Sequence, residues 1–160
     1  MKLVLACVGK LKSGPERALC ERYAERLPAT MKACGFAGLR IAEIGESPAR
    51  RVEERRSEEA RGLAGLIEPG SRVIVLDERG AALDSAGFAR RLAGWRGEGA
   101  PALTLLIGGA DGIDESLRAR ADLVLSFGAM TLPHQLVRAL VLEQIYRATT
   151  ILTGHPYHRA

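Results

Sequence analysis

The sequence predicts an α/β fold: a mainly parallel sheet covered by helices on both faces. Two observations carry that prediction. Short apolar runs closed by glycine, proline or an acidic residue alternate along the chain with longer stretches of helical periodicity, the pattern of successive βαβ crossovers. The runs are nearly continuous in apolar residues, as strands buried on both faces require. A length of 160 residues suits one domain, 1–160, and 47% hydrophobic residues suffice for one sizeable core.

The elements follow in order. Residues 2–8 read as a buried strand closed by Gly9. Ser13-Gly14-Pro15 starts a helix, with the proline near the first helical position, and Pro28 is expected to stop it after Leu27. Residues 39–44 form a second strand. Ser47-Pro48 opens a helix expected to reach Ile67, before Pro69-Gly70. Its arginines at 50, 51, 55, 56 and 61 are interleaved with glutamates at 53, 54, 58 and 59, which reads as a solvated face with i,i+4 pairs; a phosphate-binding role is the alternative. Residues 72–76 are a strand ending on Asp77, and Asp84 or Ser85 caps a helix to Arg96. Residues 101–107 are a strand running into Gly108-Gly109, a short helix starts at Asp114, 123–126 is a fifth strand, and 135–150 is a long final helix.

Composition narrows the function classes. A net charge of +4 leans mildly toward an anionic partner, though an arginine-rich surface accounts for it equally well. Three cysteines without a C-x-x-C pair argue against a disulfide framework or a zinc knuckle and fit a reducing cytoplasm. No metal site is expected. No apolar stretch approaches the ~20 residues that span a bilayer, and the N-terminus lacks a signal-peptide pattern.

In open α/β sheets, ligands bind beyond the carboxyl ends of the strands. Three such ends are chemically notable: Leu76-Asp77, Ile107-Gly108-Gly109 and Ser126-Phe127. The segment Gly108-Gly109-Ala110-Asp111-Gly112 allows a sharp turn and close backbone approach to a ligand, but it has neither the dinucleotide nor the P-loop signature. A plain tight turn with an exposed Asp111 reads it as well. Residues 127–134 form an apolar loop. Such a loop makes a wall for a flat neutral ring, with its backbone groups reading the ring's edge; a loop tucked into the core is the alternative. The final helix is apolar nearly all round, which predicts burial on more than one side and a two-fold homodimer. The tail His155-Pro156-Tyr157-His158-Arg159 gathers groups suited to hydrogen bonding or proton transfer, base stacking and anion contact.

Leu106-Ile107-Gly108-Gly109, Gly112, Thr131-Leu132-Pro133-His134, Leu136-Val137-Arg138, Glu143-Gln144, Tyr146-Arg147-Ala148 and the 155–159 tail together resemble one family. It is the small single-domain SPOUT methyltransferases that modify a pseudouridine of bacterial 23S rRNA at N3. The resemblance spans the chain and implies a C-terminal trefoil knot, a homodimer and S-adenosylmethionine as cofactor. Carried over position by position, it places the cofactor at Leu76, Gly108, Phe127, Gly128, Ala129, Met130, Thr131 and Leu132. Gly128 departs from the serine frequent in the family.

For the chemistry the resemblance implies, His158 is the first candidate to take the N3 proton, Arg159 to stabilise charge on a carbonyl oxygen, and Tyr157 to position the base. His134 is expected to orient the cofactor loop and His155 to fix the path of the tail. The expected partner is 23S rRNA, on assembled ribosomes, with no DNA and no membrane. Two alternatives stay open: a non-catalytic nucleotide- or RNA-binding module on the same scaffold, and a related methyltransferase acting on tRNA.

Overall fold

The computed structural model describes residues 1–159; Ala160, the last residue of the tail, lies outside them. Its elements are β1 (Lys2–Val8), α1 (Pro15–Ala33), β2 (Leu39–Ile44), α2 (Val52–Ala64), β3 (Arg72–Ala82), α3 (Ser85–Gly97), β4 (Ala102–Ile107), α4 (Glu115–Ala119), β5 (Leu123–Ser126) and α5 (His134–Thr153). The five strands form one sheet in the order β2-β1-β4-β3-β5, and every pairing is parallel. No helix of the described residues is long and apolar enough to cross a membrane.

Side chains alternate across the sheet and build two cores. Leu3, Leu5 and Cys7 of β1 point into the larger one, with α1, α3 and α5 above them. Ala6 and Val8 point the other way, into a smaller core closed by Leu63 of α2 and Leu117 of α4. Helices on both faces are thus what the nearly continuous apolar strands require.

Four elements have at least one end three or more residues from the expected position. Helix α1 runs through Pro28 to Ala33. An interior proline costs about 3 kcal/mol. Leu27 and Met31, one turn apart on either side of it, are both fully buried, and each burial is worth about 1.5–3 kcal/mol, so packing on α5 outweighs the break. Helix α2 starts later and ends earlier than 47–67. Ser47 is held outside it by Glu59, which accepts its N–H at 3.1 Å, and Arg55 Nη1 donates to the carbonyls of Ala49 and Arg50. Strand β3 continues past Leu76 to Ala82, with an irregularity in its pairing to β5 between Leu76 and Ala81. There Gly80 lies against the backbone of Val124 and Leu125, and a Cβ would come within 2.6 Å of the Val124 carbonyl oxygen. Helix α5 extends from His134 to Thr153, where Gly154 ends it at a left-handed φ of 69°.

Arg138 fixes the start of α5. Its side chain is 3% exposed; Nη1 donates to Glu43 at 2.6 Å and Nη2 to the carbonyls of Val8 and Gly9, each at 2.6 Å. A guanidinium buried this far is tolerated because its charge is paired and both Nη groups meet acceptors; Nε alone is buried without a partner among the described residues. It ties the helix that follows the 127–133 loop to the carboxyl end of β1.

Candidate active site

The carboxyl ends of β4, β3 and β5 are neighbours in the sheet. The three strand ends singled out from the sequence therefore converge, and between them opens a cleft of about 720 Å³. That volume lies within the ~300–1,000 Å³ of small-molecule sites. Leu76 and Ile107 form its floor, the 108–113 turn one wall, and the 127–133 loop another.

The turn at 108–112 owes its shape to glycine at specific places. A Cβ on Gly108 would stand 2.7 Å from the Gly112 carbonyl oxygen and 2.7 Å from Ile113 Cγ1, so the chain folds back on position 108 itself. Gly112 N–H donates to the Gly109 carbonyl at 3.0 Å, and Gly112 takes a φ of 82°, where side chains are strained. Asp111 is not a free surface carboxylate. Arg55 Nε donates to its Oδ2 at 2.6 Å and Nη2 to its Oδ1 at 3.2 Å, and Arg56 Nε donates to its backbone oxygen at 2.7 Å. The Arg55 hydrogen bond holds the Asp111 carboxyl below its ordinary value. Two arginines of the mixed-charge α2 face thus tether the glycine turn, and a solvated-face reading does not describe them.

The 127–133 loop is open rather than tucked into the core. Met130 is 80% exposed, and Phe127 and Leu132 also present apolar surface. Gly128 adopts a φ of 128°, with open space where a Cβ would stand, and its N–H donates to Ser126 Oγ at 3.0 Å. A serine at 128 would meet no clash but would strain the backbone. Thr131 Oγ1 donates to Glu78 at 2.6 Å, tying the loop to the extension of β3.

Of the eight positions expected to hold a cofactor, Leu76, Gly108, Phe127, Gly128, Met130, Thr131 and Leu132 line this cleft; Ala129 does not. His134 and Val137, at the start of α5, line it too. Asp77, Glu78, Arg79 and Arg56 also line it; Asp77 belongs to a strand end noted from the sequence, and the other three were not singled out as site residues. The signal for Glu78 and Arg79 was Gly80 in a charged stretch after an apolar strand, the mark of a strand irregularity. Burial pushes the Asp77 carboxyl up, but hydrogen bonds from Arg79 and the charge of Arg118 outweigh it, and the net result lies below the ordinary carboxylate value.

The tail lies elsewhere. None of residues 155–159 lines the cleft of its own chain. Tyr157 meets the Tyr146 ring edge-on at 4.8 Å between centroids, carries the Arg147 guanidinium 4.9 Å from its own centroid, and donates to Glu143 at 3.0 Å. Burial, then hydrogen bonds to Tyr23 and Glu143, push its phenol well above the ordinary value, so Tyr157 stays protonated. His155 Nδ1 accepts the Tyr157 N–H at 3.2 Å, which bends the chain after the helix. His158 is half-buried, and its Nδ1 is enclosed without a hydrogen-bond partner among the described residues. Arg159 is exposed.

The family described as "Predicted SPOUT methyltransferase" matches residues 1–158. The chain belongs to the SPOUT methyltransferase family. Curated relatives named Ribosomal RNA large subunit methyltransferase H match it over full length. The protein from Rhodopseudomonas palustris (strain BisA53) is 53% identical over 160 residues, 100% of both chains. That from Methylobacterium sp. (strain 4-46) is 54% identical over 159 residues, 99% of this chain and 98% of the relative. A solved structure, the SpoU methyltransferase AviRb from Streptomyces viridochromogenes in complex with AdoMet, aligns at 15% identity with a TM-score of 0.41, over 91% of this chain and 56% of that one. The full-length relatives, not that distant likeness, place this chain among the SPOUT proteins.

Proposed function

We propose that this protein transfers a methyl group from S-adenosylmethionine to N3 of a pseudouridine in bacterial 23S rRNA. One observation carries the reading: the three adjacent strand ends of a SPOUT chain, whose full-length relatives bear a large-subunit rRNA methyltransferase name, converge on one cleft of ligand size. The cleft fits such a cofactor. It joins a glycine backbone that approaches closely at Gly108 to an exposed apolar loop, Phe127 to Leu132, that suits an adenine face.

When bound, S-adenosylmethionine supplies a methyl group already activated by its sulfonium. The protein's task is to hold N3 in line with that carbon and to remove the N3 proton, since positioning alone supplies much of an acceleration of this kind. His158 is the residue whose imidazole would accept the N3 proton as the base takes up the methyl group that the cofactor would supply. Support for His158 is its place beside the exposed Arg159 in the tail; its Nδ1 is enclosed, so Nε2 is the ring nitrogen left to meet the base. Arg159, exposed beside it, stabilises negative charge on a flanking carbonyl. Tyr157 remains a phenol and anchors the tail to α5 through Glu143, Tyr146 and Arg147, so that it positions its neighbours rather than exchanging a proton.

The working unit in this reading is a cytoplasmic homodimer with a knotted C-terminal region, in which one subunit's cleft receives the other's tail. Its support is that the tail does not line its own cleft, and that α5 presents the exposed Leu136 and Leu140, one turn apart, shortly after the exposed Leu132 of the loop. The test is methyl transfer from labelled cofactor to ribosomes, free 23S rRNA and tRNA, with the modified base mapped by mass spectrometry. Label at pseudouridine N3 of 23S rRNA is expected; label in tRNA alone refutes the proposal. Mixing a Gly108-substituted subunit with one lacking 155–160 restores activity if the site is shared, and leaves none if it is not.

A further inference from the structure

The charges around the cleft are unequally neutralised. Its charged lining residues are Arg56, Asp77, Glu78, Arg79 and Asp111. Asp111 is taken by the forked Arg55, and Asp77 by Arg79 at 3.2 Å and Arg118 at 3.7 Å. Arg56 is different. Its Nε donates to the backbone oxygen of Asp111, and no carboxylate among the described residues lies within ion-pair distance of it. Asp111 and Asp114 feel its charge only at longer range. The bond through Nε fixes the guanidinium beside the glycine turn and leaves both Nη groups to donate. Glu78, from the extension of β3, accepts the Thr131 hydroxyl and has no ion-pair partner among the described residues. One held, unneutralised guanidinium and one unneutralised carboxylate therefore border the same cleft.

That pairing matches a free amino-acid group, which carries a carboxylate and an ammonium. We infer that Arg56 binds the carboxylate of the cofactor's amino-acid end and makes the cleft select the intact cofactor over its decarboxylated form; this rests on the reading that the cleft holds S-adenosylmethionine. A planar guanidinium with two free donors suits a carboxylate bidentately. Arg55 contributes indirectly: by occupying Asp111, it keeps that carboxylate from neutralising Arg56. The other anion available to such a protein is an RNA phosphate, and measuring cofactor binding without RNA separates the two.

The experiment is titration calorimetry of the full-length protein, without RNA, using S-adenosylmethionine and decarboxylated S-adenosylmethionine, on wild type, Arg56→Gln and Arg56→Lys. Thermal unfolding of each verifies the fold; among the described residues the exposed Arg56 side chain makes one hydrogen bond, to the Asp111 carbonyl. Wild type is expected to prefer the intact cofactor by about tenfold or more, the usual scale of a charge-assisted contact. Arg56→Gln should lose about that factor for the intact cofactor and almost nothing for the decarboxylated one; Arg56→Lys should recover part of the preference. Equal weakening of both ligands overturns the inference, because it means the arginine only shapes the turn. Unchanged affinity for the intact cofactor also overturns it and assigns the guanidinium to RNA. Wild type that binds neither ligand refutes the cofactor reading beneath it.

Discussion

Substituting Gly108 by alanine tests the cleft at its tightest point. The added methyl would lie 2.7 Å from the Gly112 carbonyl oxygen, 2.8 Å from the Gly112 carbonyl carbon and 2.7 Å from Ile113 Cγ1, some 0.6–0.7 Å inside the 3.4 Å at which ordinary contact begins. Two of the three atoms are backbone, so no rotamer change relieves the clash, and the 109–113 turn must move as a unit. Overpacking of this kind costs about 1–3 kcal/mol. At roughly 2–4 °C per kcal/mol for a domain of this size, the midpoint should fall by about 2–12 °C. The turn is a wall of the cleft, so cofactor affinity should fall by about tenfold or more, the equivalent of about 1.4 kcal/mol. Differential scanning calorimetry reads the first effect and isothermal titration with S-adenosylmethionine the second. Gly94→Ala serves as control: it lies in α3 with open space around its Cβ position, and alanine there should stabilise by about 0.5–1 kcal/mol without affecting binding. A Gly108→Ala protein that binds with wild-type affinity would refute the claim that this backbone forms the wall.

Other outcomes are equally specific. Asp111 has its carboxyl below the ordinary 3.8 through Arg55, so its contribution is full above the unfolded value and is lost as pH falls through the lower folded one. Melting curves from about pH 6 to about pH 3 should show Asp111→Asn losing less stability on acidification than wild type; parallel losses would sink the assignment. Arg138→Ala should cost about 3 kcal/mol in denaturant unfolding, the low end for a broken buried pair, because Glu43 keeps 31% of its side chain in water. Tyr157→Phe should lower stability by about 1 kcal/mol through its lost hydrogen bonds and retain methyl transfer, as a residue that gives up no proton would. His158→Ala should reduce turnover by about 10²–10⁴-fold with calorimetric cofactor affinity unchanged; full turnover would move the base elsewhere.

What could be read from the chain was what local pattern encodes. Nearly continuous apolar strands such as 102–107, interrupted by Thr104, announce burial on both faces, and the alternation with helices announces a parallel sheet. The strand ends Leu76, Gly108 and Phe127 followed, because ligands sit beyond the carboxyl ends of such sheets. Boundaries set by long-range contacts were not readable. Pro28 is a local stop signal overridden by Leu27 and Met31 against α5, and the extension of β3 to Ala82 depends on the backbone of β5 passing Gly80.

The same division holds at the cleft where the ligand is proposed to bind. The sequence by itself determined that a glycine turn and an apolar loop exist, because torsional freedom and hydropathy belong to the residues that carry them. Only the tertiary structure decided that β4, β3 and β5 lie side by side, that Arg55 consumes the charge of Asp111, and that Arg56 is left without a carboxylate among the described residues. Charge pairing depends on distances between atoms far apart in the chain, and those distances come into being only when the sheet closes.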